Sequence, residues 1–152
     1  MMPNCASERS EPAPKISPAN IKPRIAALIK TKRDELESSA RSLGMESGTI
    51  ARFMAAIDEQ FVEMTALASK GLSARSEYYG AYEKCAALLV REFGSYKVTN
   101  GQFIFRLQPT ADSYNAASGA MVAAQKRMAD LEDEKPALKQ SQLNRWKKFV
   151  GG

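Results

Sequence analysis

The densest group of chemically capable side chains in this 152-residue sequence is the carboxylate set Asp58, Glu59 and Glu63. On a helix Glu59 and Glu63 stand one turn apart, close enough to share a cation. Carboxylate metal sites in helical bundles complete their coordination with histidine, and the chain contains none. The same absence excludes a Ser-His-Asp or Cys-His pair, an imidazole proton shuttle and a mixed His/Cys zinc site. Cys5 and Cys85 are the only thiols, too few for a thiolate cluster. Cys5 falls in a polar stretch, and Cys85 opens the apolar run 85–90, where a buried free thiol is expected. Their spacing does not call for a disulfide. No glycine-rich phosphate loop is present. The expectation is therefore a protein without enzymatic activity, cofactor or metal, in which Asp58, Glu59 and Glu63 form a solvated face.

Charge offers a second lead. Residues 1–33 carry seven basic and two acidic side chains, residues 34–134 ten and fifteen, and residues 135–152 five and none. Basic ends flank an acidic middle. Such ends could bind phosphate or an acidic partner, or hold the acidic body of their own molecule. In the last segment, Leu138, Leu143, Trp146, Phe149 and Val150 share one helical side and Arg145, Lys147 and Lys148 the other. Trp146, Arg145, Lys147, Lys148 and Phe149 are the candidate partner contacts: a basic, Trp-bearing amphipathic end fits a partner groove or an anionic surface, and fits equally the domain's own core.

The elements that would carry these groups are mostly helical. Residues 1–18 hold four prolines and few large apolar groups, so they are expected to be a disordered tail, and residues 19–152 a single helical domain. Ser17 to Asn20 offers caps, and Pro23 suits a first helical turn. Ile21, Ile25, Leu28, Ile29, Leu36, Ala40 and Leu43 then recur at helical spacing to Gly44, with either one helix or two across residues 21–43. Ile50, Phe53, Met54, Ile57, Phe61, Met64 and Leu67 mark a second helix, capped by Ser47 or Thr49 and ending near Lys70-Gly71. A third, from Ser73 to Gly94, carries Tyr78, Tyr82, Cys85, Leu89 and Phe93. Helical spacing places at least two of Tyr78, Tyr79 and Tyr82 in the core.

Between Tyr96 and Leu107 an Asn-Gly pair separates two β-rich arms, the pattern of a two-residue hairpin. Phe103, Phe105 and Leu107 share its packed face. Pro109 to Asp112 starts a fourth helix with Tyr114, Ala117, Met121, Ala124, Met128 and Leu131 in line, and the small residues beside them permit close helix approach. The acidic run 130–134 opposes a C-terminal helix dipole, so the helix is expected to stop there and a fifth to follow Pro136. The fold class is all-α, a bundle of four to five helices with one small β-hairpin near residues 96–107.

The stretch ARSLGMESGTIARF, residues 40–53, resembles the helix-turn-helix of DNA-binding regulators. Ala40 matches the small residue that packs the two motif helices, Gly44 the turn, and Met45, Ile50 and Phe53 the apolar positions of the second helix. Over residues 36–54 the resemblance implies contacts to DNA from Ser47, Thr49 and Arg52. Lys30, Lys32 and Arg33 just upstream would supply phosphate affinity. Glu37 and Glu46 balance Arg41 and Arg52 within the motif. Gly44 as an ordinary helix C-cap needs no such function.

Two functional readings follow. The first is a non-enzymatic helical protein-interaction module, an adaptor, assembly component or exported helical protein. It would use the fourth-helix stripe, the hairpin edge and the basic Trp146 end to contact a protein partner or a second copy. The alternative is a small helix-turn-helix regulator that binds nucleic acid, with the later helices making a dimer. No apolar run suits a transmembrane segment or signal-peptide core, so a cytoplasmic location is expected, with an unstructured export signal left open.

Overall fold

The computed structural model describes residues 18–151. The expected disordered tail, apart from Pro18, lies outside the described residues, as does Cys5. Among the described residues, three helices and a two-stranded antiparallel hairpin make up the fold: α1 (Pro18–Ser42), α2 (Ser47–Arg91), β1 (Lys97–Thr99), β2 (Gln102–Ile104) and α3 (Gln108–Gly151).

The count of three corrects the expected four to five, and the reasons are local penalties overridden by packing. Gly71 lies inside α2, half-buried among Ala68, Leu72 and Ala74. A single glycine costs a helix about 1 kcal/mol, less than breaking a seam that continues on both sides of it. Pro136 lies inside α3. It forfeits one backbone bond at about 3 kcal/mol, but Leu131 before it and Leu138 after it both face α2 across one groove. The acidic run 130–134 sits mid-helix, away from the dipole end that would have opposed it. α1 runs unbroken from Pro18 to Ser42, so the span expected as one helix or two is a single helix, with Pro23 in its second turn and not its first.

α2 and α3 form a long antiparallel hairpin. At 1.5 Å per residue each is about 66 Å long, while α1 extends about 37 Å. Residues recurring every three or four positions line the seam. From α2 come Ala74, Ala81 and Cys85, all buried, with Tyr78 and Leu88 half-buried between them. From α3 come buried Ala117 and Ala124, alternating with half-buried Tyr114, Met121, Met128 and Leu131. The alanines let the two backbones close together, and Ala124 is 0% exposed. The fourth-helix stripe therefore forms the inside of the hairpin. The third-helix stripe differs from expectation: Cys85 is buried, but Tyr82 and Phe93 are exposed, because the smaller neighbours at 81 and 88 occupy the seam.

The β-hairpin caps the far end. Val98 pairs with Phe103 and Thr99 with Gln102, around Asn100 and Gly101 at φ 52° and 77°. Two successive positive φ angles make the tight turn whose twist matches its strands. Phe103 and Phe105 pack inward as expected, whereas Leu107 is exposed, because the strand has ended and its carbonyl already accepts from Ala111 N–H at the start of α3.

α1 joins α2 through a tight turn at Gly44, φ 74°. Met45 N–H donates to Ala40 O at 3.3 Å and Gly44 N–H to Arg41 O at 3.0 Å. This bonding pattern satisfies the last carbonyls of α1 and requires a left-handed residue at position 44. The N-cap of α2 is Glu46, without a side-chain cap bond. Ser47 is the first helical residue, so neither it nor Thr49 caps the helix as expected. Ala40, Ile50 and Met54 form a small core under the turn, with Met45 and Phe53 against it.

Candidate functional site

The direction of α1 follows from one ion pair. Arg33 Nε donates to Asp58 Oδ1 at 2.7 Å and Nη2 to Oδ2 at 3.1 Å. Arg33 precedes Gly44 by eleven residues and Asp58 follows it by fourteen, roughly 16 and 21 Å of helix. Side chains that distant from the turn meet only if α1 folds back along α2. Arg33 also reaches Glu37 at 3.3 Å, and Glu37 accepts from Arg41 at 2.7 Å. The Arg41 hydrogen bond, above all, holds the Glu37 carboxyl below the usual carboxylate range. Of the six candidate DNA contacts, Arg33 is engaged with Asp58, Lys32 bridges Glu35 at 2.7 Å, and Thr49 is half-buried. Lys30, Ser47 and Arg52 are exposed.

The other basic end is held in the same way. Arg145 donates to both Glu63 oxygens, with Nη1 to Oε1 at 2.8 Å, and Gln142 Nε2 donates to Glu63 at 3.2 Å. These bonds, Arg145 first, hold the Glu63 carboxyl below its ordinary range. Glu59 lies 3.9 Å from the same guanidinium. Trp146 Nε1 donates to Gln60 Oε1 at 3.0 Å, and its ring packs on Phe53 and Phe149 at 5.7 and 5.5 Å between centroids. Asp58, Glu59 and Glu63 are thus not a purely solvated face. They face Arg33 from one basic arm and Arg145 from the other, and this arrangement opposes charge across the base of the hairpin. Of the candidate partner contacts, Arg145 and Trp146 join this internal clamp, whereas Lys147, Lys148 and Phe149 remain exposed.

Two features had no counterpart in the sequence reading. The first is an apolar groove of about 690 Å³ between the three helices at mid-length, floored by Met64, Leu67, Leu72 and Met128 and walled by Ile21 and Ile25 of α1. The second is the continuation of that side of the hairpin toward the tip. The α2 line that meets α1 (Met54, Asp58, Ala68, Leu72) continues at helical spacing through Arg75, Tyr79, Tyr82, Ala86 and Leu89, and Phe93 follows in the turn just past α2. α1 begins beside Leu72 and Arg75, so beyond them no third helix lies on this line among the described residues. Tyr79 is 58% exposed, Tyr82 55%, Phe93 84%, and Val122 on the neighbouring flank of α3 60%. The signal was present in the stripe through Tyr82, Leu89 and Phe93, which belongs to this outer line and not to the seam.

At the tip Tyr96, Phe103, Phe105 and Tyr114 form an aromatic cluster with centroids 5.2 to 6.4 Å apart along its contacts. Burial pushes the Tyr114 phenol above its ordinary range. The cluster packs the hairpin against the start of α3 through Tyr114. Among the described residues no helix is long and apolar enough to cross a membrane. Neither protein-family models, nor curated proteins, nor solved structures match this chain.

Proposed function

We propose that the chain is a helical protein-interaction module that presents the distal half of its α2–α3 hairpin to a partner. The observation that carries this reading is the outer line of α2 beyond the start of α1, where Tyr79 and Tyr82, with Phe93 just past the helix, stand exposed among the described residues. Single exposed apolar residues are ordinary on a protein surface, but a contiguous line at helical spacing marks an interface. Of the other surfaces the sequence suggested, the fourth-helix stripe lies in the α2–α3 seam and Arg145 and Trp146 have internal partners, while the hairpin edge and Lys147 and Lys148 stay exposed. The aromatic cluster supports the reading because it packs the hairpin against α3, and a packed end has less to order on binding.

Capture of partners from the native host by the full chain, compared with a Phe93→Glu variant, tests this function. Phe93 makes little contact of its own, so the variant should fold and lose the captured species. Undiminished capture by Phe93→Glu would remove this surface from the proposal.

A second reading, a small DNA-binding regulator, draws support from the exposure of Lys30, Ser47 and Arg52 near the α1–α2 turn. It is the weaker of the two, because Arg33 is neutralised by Asp58 and α1 lies back along α2, where a recognition unit would need its two helices to cross steeply.

A further inference from the structure

We propose that the groove between α1 and α3 binds a free long-chain carboxylate, with the alkyl chain laid along α2 and the head group on Arg75. This site uses a different surface from the distal line of α2 and does not depend on it.

The groove follows from the packing. α1 and α3 each lie against α2, and the space left between them measures about 690 Å³, within the range of small-ligand sites. Leu67 and Leu72 of α2, Leu131 and Leu138 of α3, and Ile21 and Ile25 of α1 make its surface apolar. Met64, in the floor, is 48% exposed, so apolar surface is open to solvent inside the groove. Met64 and Met128 are unbranched and adapt their shape to what lies on them.

The two ends of the groove differ. Toward the base it is bounded by Gln60 and Gln142, both tied into the clamp through Trp146 and Glu63. Toward the tip it opens at Arg75. Between these ends it follows α2 for about 22 Å. A bounded end suits the terminal methyl of an alkyl chain, and the open end suits a head group that stays hydrated.

Charge selects the head group. The ionic residues on the rim are Arg75, Glu132, Lys135 and Lys139, and Glu132 is paired with Lys135 at 2.6 Å. Arg75 and Lys139 have no ion-pair partner among the described residues, and no carboxylate on this rim is left over. A guanidinium at the mouth takes a carboxylate through two parallel N–H···O bonds. Lys139 stands nearer the base, where its methylene stem extends the apolar wall. The groove therefore favours an anionic amphiphile over a neutral or cationic one.

Isothermal titration calorimetry of the full chain with dodecanoate, kept below its aggregation concentration, tests the assignment. One carboxylate is expected per chain, and affinity should rise about fourfold per buried methylene from octanoate to dodecanoate. Arg75→Glu should weaken dodecanoate binding about tenfold or more and admit dodecylammonium, which the wild type should not bind. Met64→Glu places a charge in the floor and should abolish uptake of dodecanoate. Both positions are exposed, and circular dichroism checks that the helices are intact; if Met64→Glu loses helicity, Met64→Gln replaces it. No binding by the full chain overturns the site, whatever fills the groove instead. So does uptake of many molecules per chain, which is detergent-like adsorption, or binding indifferent to both variants. Binding to phosphatidylglycerol vesicles without uptake of free dodecanoate also overturns it and makes the groove a membrane contact. A chain that fails these tests and still loses its captured species on Phe93→Glu leaves the interaction-module reading intact.

Discussion

Arg145, in the last turns of α3, donates through both terminal guanidinium nitrogens to the Glu63 carboxylate on α2, 82 positions earlier in the chain. With Gln142 on the same carboxylate and Trp146 hydrogen-bonded to Gln60 one turn away, this pair closes the base of the hairpin. Arg33 and Asp58 do the same for α1. One arginine from each basic end thus pairs with the acidic middle, and the exposed apolar line lies toward the opposite end.

The pair predicts an acid-sensitive base. Glu63 has a folded-state pKa below its unfolded value, so the stabilisation is present above the ordinary carboxylate range and is lost as pH falls through the lowered folded pKa. Trp146, the single tryptophan, reports it. Its emission should shift to the red as acid releases the end of α3, before global loss of helicity. Glu63→Gln should remove most of the pH dependence of that step; a transition unchanged by Glu63→Gln would place its origin elsewhere.

Ala124 has no exposed surface, and its methyl group fills the space between the two long helices. Ala124→Leu forces them apart and should destabilise the chain by about 1–3 kcal/mol in urea titration. Ala123→Leu, at an exposed neighbouring position, should have little effect. Equal effects would mean that α3 packs on a different face.

Gly44 meets nothing within 4 Å at the position of an added Cβ, so only its φ of 74° opposes substitution. Gly44→Ala should cost about 1 kcal/mol through left-handed strain alone. A neutral result would show that the α1–α2 turn does not adopt this geometry.

The DNA reading makes its own prediction. Under it, fluorescence anisotropy against a mixed-sequence duplex would show salt-sensitive binding that Arg52→Ala weakens. With Arg33 and Lys32 already paired to carboxylates, the expected outcome is no measurable binding at near-physiological salt and no effect of Arg52→Ala.

Much of this fold could be read from local sequence, and the failures have a common cause. Asn100-Gly101 between β-rich arms located the hairpin, because two positive φ angles are a backbone requirement that few residue pairs meet. The Tyr114 to Leu131 stripe located the α3 seam, because burial on one helix face leaves a clean period. Gly71 and Pro136 misled because their penalties are local while the seam that overrides them is set by a helix more than fifty residues away. The stripe through Tyr78, Tyr82, Cys85, Leu89 and Phe93 mixed two lines. The seam (74, 78, 81, 85, 88) and the outer line (75, 79, 82, 86, 89) differ by one residue, and periodicity alone cannot separate them. The charge asymmetry foreshadowed the clamp, but only the folded chain pairs Arg33 with Asp58 and Arg145 with Glu63.

The central claim is that the distal α2 line on the α1 side is the binding face, and in-cell photo-crosslinking tests it most directly. A photoreactive residue at position 82, or at 93 just past α2, should give discrete protein adducts, while the same residue at position 84 or 87, on the opposite flank of α2, should not. Adducts of equal yield from both flanks, or none from 82 and 93, would contradict the account.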